Sequence, residues 1–208
     1  MAKLIVNKIF NGNAEFLLGV NNLSQLPQYH FPEIAFIGAS NVGKSSLINA
    51  LIGKKITIVS ATKGRTKQLN FFKILGFKDG FHIVDMPGYG FAQDAKSAIN
   101  YWQELSLNYI ANGKNLKRVF LLIEAQKGMK ALDYEIIDFF NVYNVSFQIV
   151  LTKIDKLNLS AQQLALEKIQ NEFKLYRTFC STIISTSASK NYGIFDLQNE
   201  IVKILENL

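Results

Sequence analysis

The stretch GASNVGKSS, Gly38 to Ser46, fits the phosphate-binding pattern G-x-x-x-x-G-K-[ST]. Its glycines let the backbone turn tightly enough for several N–H groups to converge on phosphate oxygens. A helix beginning at the lysine adds partial positive charge at the same point. Lys44 has the reach and charge to meet the β and γ phosphates, and the Ser45 hydroxyl suits Mg²⁺. Asn41, inside the loop, offers a side-chain oxygen that could ligate potassium.

Three later motifs extend this chemistry. DMPG, Asp85 to Gly88, follows the apolar run Phe81–Val84. An aspartate at a strand end can hold Mg²⁺ through a water, and Gly88 lets a backbone N–H approach a γ-phosphate. TKID, Thr152 to Asp155, follows Phe147–Leu151. The Asp155 carboxylate can accept hydrogen bonds from the ring N–H and exocyclic amine of guanine. Adenine presents the reverse pattern there, and a mismatch leaves buried polar groups unpaired. The Lys153 stem can lie over the purine. TSAS, Thr186 to Ser189, closes the last strand, where small residues let the Ala188 N–H approach the guanine oxygen. Singly, D-x-x-G usually marks a turn, TKID reads as a solvated loop and TSAS carries almost no information. Together, in the order phosphate, magnesium, base, base, they point to GTP.

Between the first helix and the Leu69–Val84 hairpin lies KGRTKQLNFF, Lys63 to Phe72. Thr66 is the candidate to complete a Mg²⁺ shell when a γ-phosphate is present, so this loop should order with GTP and loosen with GDP. Lys44 and Thr66 are thus the candidate catalytic groups. Tyr89 follows DMPG where many GTPases place a glutamine that orients water. Intrinsic hydrolysis should be slow unless a partner, or potassium at Asn41, supplies what is missing.

The elements that must position these residues follow from periodicity. IAFIG, Ile34 to Gly38, reads as a buried strand, and Lys44–Ile52 has helical spacing. Strands are expected at Leu69–Leu75, Phe81–Val84, Arg118–Ile123, Phe147–Leu151 and Thr182–Ser185. Helices are expected at Tyr101–Ile110, Leu132–Val142, Ser160–Tyr176 with Ser160 as cap, and Ile194–Leu208. The alternation predicts an α/β fold: a mostly parallel six-stranded sheet with one antiparallel edge strand and helices on both faces. Residues 1–31 are read as an arm or short appended strand before a single domain at 32–208.

The whole chain is consistent with this. It has 208 residues, 49% hydrophobic, with one cysteine, so an intrachain disulfide is excluded. No apolar run approaches a membrane span and the start lacks a signal-peptide pattern, so a cytoplasmic protein without a membrane partner is expected. The net charge is +7, and seven basic residues with no acidic one fall between Lys54 and Lys78. A basic stretch of this kind suits polyanions such as RNA.

PEIAFIGASNVGKSSLINAL, GRTKQLNFF, DMPGYGFA and LTKIDKL together resemble the EngB (YihA/YsxC) family of bacterial ribosome-biogenesis GTP-binding proteins, of the Era-like class. The resemblance runs from Pro32 to the C-terminus, and P-G-Y-G after the magnesium aspartate is its most specific part. It implies the P-loop GTPase (Ras-like) fold, Mg²⁺ dependence, association with the large ribosomal subunit or its precursor, and a link to cell division and septation. By position it implies nucleotide contacts from Gly38, Ala39, Ser40, Asn41, Val42, Gly43, Lys44 and Ser45. It adds Gly64, Arg65, Thr66, Lys67 and Gln68, then Asp85, Met86, Pro87 and Gly88. Thr152, Lys153, Ile154 and Asp155, with Thr186, Ser187 and Ala188, complete the set. Ser45 and Thr66 would be the Mg²⁺ ligands. The chain departs from the family at Ala39 (usually arginine), Lys63 (usually proline) and Glu124 (often aspartate). The basic segment overlaps the switch loop, so it could meet rRNA, and a monomer is the default. Alternatives are a nucleotide-dependent binding module with negligible turnover, an unrelated P-loop ATPase or kinase, and another Era-like role.

Overall fold

A computed structural model describes residues 2–11, 14–28, 30–57, 68–90, 96–173, 176, 178–180 and 182–207. Along the chain run helix α1 (Ala2–Phe10), strands β1 (Ala14–Val20) and β2 (Glu33–Gly38), helix α2 (Lys44–Ile52), and strands β3 (Leu69–Ile74) and β4 (Phe81–Asp85). They are followed by α3 (Lys96–Asn112), β5 (Leu116–Glu124), α4 (Ala131–Val142), β6 (Phe147–Thr152), α5 (Leu159–Phe173), β7 (Ile184–Ser185) and α6 (Ile194–Glu206).

All seven strands join one sheet in the order β1-β3-β4-β2-β5-β6-β7. β4, β2, β5, β6 and β7 are mutually parallel, and an antiparallel edge follows in which β3 pairs with β4 and β1 pairs with β3. The strand beyond the expected six is β1, from the N-terminal segment. It extends the sheet as the edge strand beside β3, and Phe16 meets Phe72 edge to face.

β2 is apolar on both faces because both are covered, as in parallel sheets generally. Ile34 and Phe36 point into one core with Leu47, Ile48 and Leu51 of α2, Leu197 and Ile201 of α6, and Val6, Ile9 and Phe10 of α1. Ala35 and Ile37 point into the other, with Tyr109 of α3, Ile137 and Phe140 of α4, and Ile169 and Phe173 of α5. Each fully buried large side chain contributes about 1.5–3 kcal/mol, so truncating Phe36 to alanine should cost about 3–5 kcal/mol. Among the described residues no helix is long and apolar enough to cross a membrane.

Several expected boundaries change: α3 runs Lys96–Asn112 rather than Tyr101–Ile110, β5 runs Leu116–Glu124 rather than Arg118–Ile123, and the N-terminal segment expected as an arm or short strand carries helix α1 as well as β1. α5 starts at Leu159, and Asn158 rather than Ser160 caps it: the Ala161 N–H donates to Asn158 Oδ1 at 2.9 Å. Asparagine serves as well as serine at a cap, so sequence alone ranks the two equally.

Candidate nucleotide site at the strand ends

The loop after β2 is held from two sides. Ala39 forms a parallel bridge with Tyr89: the Ser40 N–H donates to the Tyr89 carbonyl at 2.9 Å, and the Tyr89 N–H to the Gly38 carbonyl at 3.2 Å. Gly43, at φ +105°, makes the left-handed turn into α2 that a side chain would strain. The first N–H groups of α2 thus face the loop interior, a ready anion site. Gly88 lies against the loop, where an added Cβ would stand 3.1 Å from Ser40 Cα. Met86 and Pro87 are buried, and the Met86 N–H donates to Phe36 O at 3.0 Å, fixing DMPG beside the end of β2.

At the centre, Lys44 Nζ makes an ion pair with Asp85 Oδ1, and both groups are largely buried. A buried ammonium and carboxylate require partners, and here each serves the other. Ser45 follows Lys44 in the first turn of α2. A hydroxyl and a carboxylate are hard oxygen donors that fit Mg²⁺ shared with phosphates, since that ion keeps waters and takes few protein ligands.

The base end is tied to the loop directly. Thr152 Oγ1, at the end of β6, donates to Val42 O at 2.7 Å. Lys153, at φ 54°, sends Nζ to Asn41 O at 2.8 Å and to Glu124 Oε2 at 2.9 Å. Ile154 is buried, and its N–H donates to Thr186 O at 3.1 Å, which sets the two base loops against each other. Thr186 is fixed in turn by Oγ1 donating to Leu151 O at 2.9 Å. The Ser187 and Tyr192 backbones exchange two hydrogen bonds at 3.0 Å, closing the turn that carries Ala188.

Asp155 is exposed at the rim. The Ser187 hydroxyl does most to hold its carboxyl below the ordinary value, with the charge of Lys190 and the Ser189 hydroxyl, 3.5 Å from Oδ2, assisting. It is therefore ionised at neutral pH, as a double acceptor must be. A cleft of about 260 Å³ opens between Gly43 and Leu47 on one side and Lys153, Asp155, Thr186 and Ala188 on the other.

The structure thus gathers Gly38–Ser45, Asp85–Gly88, Thr152–Asp155 and Thr186–Ala188 at one end of the sheet. Thr66, with Gly64, Arg65, Lys67 and Lys63, lies outside the described residues. Gln68 bonds Asn70 through Nε2 at 2.9 Å and lies against Gly19 of β1. Two participants escaped the sequence reading. Glu124 accepts from Lys127 at 2.7 Å as well as from Lys153. Burial pushes its carboxyl up, but the two lysines outweigh this and hold it below the ordinary range. Asp133 accepts from the Tyr89 hydroxyl and from the Lys130 N–H at 2.7 Å. The signal for Glu124 was its place at the end of a parallel strand. For Asp133 it was an acid three residues past a loop, before an apolar run.

A mostly parallel sheet with a phosphate loop between its central strand β2 and helix α2, an aspartate at the end of the neighbouring strand β4 and T-K-x-D after β6 defines a P-loop GTPase. The family described as "50S ribosome-binding GTPase" matches residues 33–153. A probable GTP-binding protein EngB of Gluconobacter oxydans is 41% identical over 94% of this chain and 85% of its own. Another, from Hyphomonas neptunium, is 40% identical over 94% and 90%. A crystal structure of a probable GTP-binding protein engB superposes with a TM-score of 0.66 at 25% identity, covering 85% of this chain and 100% of that one. The chain belongs to the EngB family of GTP-binding proteins.

Proposed function

We propose that the protein is a Mg²⁺-dependent GTPase that works as a switch in large ribosomal subunit assembly, with a consequent role in cell division and septation. The reading is carried by the bonds that join base motif to phosphate loop, Thr152 Oγ1 to Val42 O and Lys153 Nζ to Asn41 O. They make one continuous site out of segments far apart in sequence. In this reading residues 32–208 are the GTPase domain, with residues 1–31 as an arm added to it.

Nucleotide contacts are assigned to Gly38–Ser45, Gly64–Gln68, Asp85–Gly88, Thr152–Asp155 and Thr186–Ala188. Ser45 and Thr66 would hold Mg²⁺, with Asp85 acting through a water. The ion, when bound, neutralises charge on the phosphate oxygens. Lys44 leaves Asp85 to meet phosphate, Asp155 accepts from guanine, and the Gly88 N–H approaches the γ-phosphate. With Tyr89 in place of a glutamine, intrinsic turnover is slow; the ribosomal partner, or potassium at Asn41, accelerates it. The basic stretch from Lys54 to Lys78 would meet rRNA phosphates, as a cytoplasmic monomer. The family description and the relatives' names support the coarse reading, and charge supports the RNA contact.

The test is equilibrium binding of fluorescent GDP and GTP analogues with ATP as competitor, on wild type and Asp155→Asn, followed by co-sedimentation with ribosomal subunits. Micromolar or tighter guanine binding that ATP does not displace and Asp155→Asn loses is the expected result. Equal competition by ATP sinks the guanine reading, and absence of the protein from large-subunit fractions sinks the ribosomal one. Equal single-turnover rates in potassium and sodium buffers remove the role given to Asn41.

A further inference from the structure

Two non-glycine residues in the site adopt left-handed backbone: Asn41 at φ 65° and Lys153 at φ 54°. Such geometry persists only where surroundings enforce it. The two are joined by the bond from Lys153 Nζ to Asn41 O at 2.8 Å. The Lys153 stem crosses the loop on the way, with Cε 3.6 Å from the point where a Cβ on Gly43 would lie. A lysine side chain has much rotamer freedom to lose, and one neutral carbonyl is a modest anchor for it.

The second anchor is Glu124. It is 7% exposed, and its Oε2 accepts from Lys153 Nζ at 2.9 Å. Its backbone is equally fixed: Glu124 stands opposite Thr152 in the β5–β6 pairing, and the Ala125 N–H donates to Thr152 O at 3.0 Å. Glu124 does not line the 260 Å³ cleft. It faces a separate hollow of about 30 Å³, bounded also by Ala39, Lys127 and Asp133. It therefore acts on the cleft through Lys153. Lys127, half-exposed, shares the same oxygen at 2.7 Å and offsets the charge left over.

We infer that Glu124 is a positioning residue for guanine-nucleotide binding, holding the Lys153 stem across the phosphate loop as one wall of the base cleft. This rests on the guanine-site reading above. Its signature is a loss of affinity common to GDP and GTP, because Lys153 serves the base end and not the γ-phosphate. A charge-assisted bond of this kind carries roughly a tenfold effect when its anion is removed.

The test measures Kd and dissociation rates for fluorescent GDP and GTP analogues on wild type, Glu124→Gln, Lys153→Met, the double variant and Lys127→Met, with melting of the nucleotide-free proteins alongside. Glu124→Gln keeps the side-chain shape, so it should fold. The expected result is an equal weakening of GDP and GTP by Glu124→Gln, faster release of both, and no further loss when it is added to Lys153→Met. Lys127→Met should stay within about twofold of wild type. Unchanged affinity in Glu124→Gln, or the same loss in the Lys153→Met background, overturns the inference while leaving the guanine site standing. Wild type that fails to bind guanine nucleotides overturns the site reading, and the inference with it.

Discussion

The hydroxyl of Tyr89 donates to Asp133 at the start of α4, and the Tyr89 side chain is buried. Tyr89 follows the DMPG glycine, yet its side chain leads away from the phosphate loop, to which only its backbone is bonded. Burial first, and then the Asp133 charge and hydrogen bond, push the phenol far above its ordinary value, so it stays protonated at every physiological pH. It is a structural clamp, not a group that orients water.

Tyr89→Phe should therefore separate stability from chemistry. The ring stays buried, and Asp133 keeps its bond from the Lys130 N–H. The lost hydrogen bond to a charged acceptor should cost about 1.5–3 kcal/mol in denaturant unfolding. The single-turnover GTPase rate should stay within about threefold of wild type, less than 1 kcal/mol in barrier. A rate that collapses while stability holds would place the phenol in the reaction.

The Lys44–Asp85 ion pair gives a second expectation. Both groups are largely buried, so either single truncation strands a buried charge, and in the proposed function both change partner when a phosphate and Mg²⁺ enter. Asp85→Ala should destabilise the nucleotide-free protein by about 3–5 kcal/mol, and raise the Mg²⁺ needed for half-maximal GTP binding. Melting without nucleotide and a Mg²⁺ titration read the two effects separately. A nucleotide-free protein as stable as wild type would show that the pair is solvated in solution.

How much of this was legible in the sequence depends on the range over which each residue acts. Gly38–Ser46, Asp85 and Asp155 announce themselves because local backbone needs and strand-end placement fix their types. Strand β2 was legible for the same reason, as a run buried on both faces. Glu124 and Asp133 were not, because each matters through a partner 29 or 44 residues away. The N-terminal segment is legible only as an arm or short appended strand, because β1 gains its place by pairing with β3 and α1 by burying Val6, Ile9 and Phe10 in the core. The cap at Asn158 was a choice between two equally good capping residues that local propensity does not decide.

Asp155 leads to a pH expectation with a definite sign. In the proposed site guanine recognition needs the ionised carboxylate, and the Ser187 hydroxyl, with Lys190 and Ser189 assisting, lowers the carboxyl below its ordinary value. A lowered value keeps the acceptor charged above it, so GDP affinity should be flat from neutral pH down to about pH 5, below which ordinary carboxylates protonate. Ser187→Ala should move the acid limb of the affinity profile upward. A limb that stays in place would show that Ser187 does not set the ionisation of Asp155.

Gly193 sets the geometry of the base loop from behind. It caps α6 at φ +68°, and an added Cβ would collide with the Ser185 carbonyl oxygen and stand 3.3 Å from Thr186 Cα. Those atoms carry the turn that presents Ala188, so there is no flexible side chain to yield. Gly193→Ala therefore combines left-handed strain of about 1–2 kcal/mol with a backbone clash, and the total should exceed about 3 kcal/mol in denaturant unfolding. Gly128 provides the matched control. It has φ +65° but nothing within 4 Å of an added Cβ, so Gly128→Ala should cost only the strain. The difference between the two variants isolates the clash. Gly193→Ala should also weaken GDP binding, because relief of the clash moves Thr186 and with it the Ala188 N–H, whereas Gly128→Ala should not. Equal losses of stability in the two variants, with GDP affinity unchanged in both, would show that the β7–α6 turn can shift without disturbing the base loop.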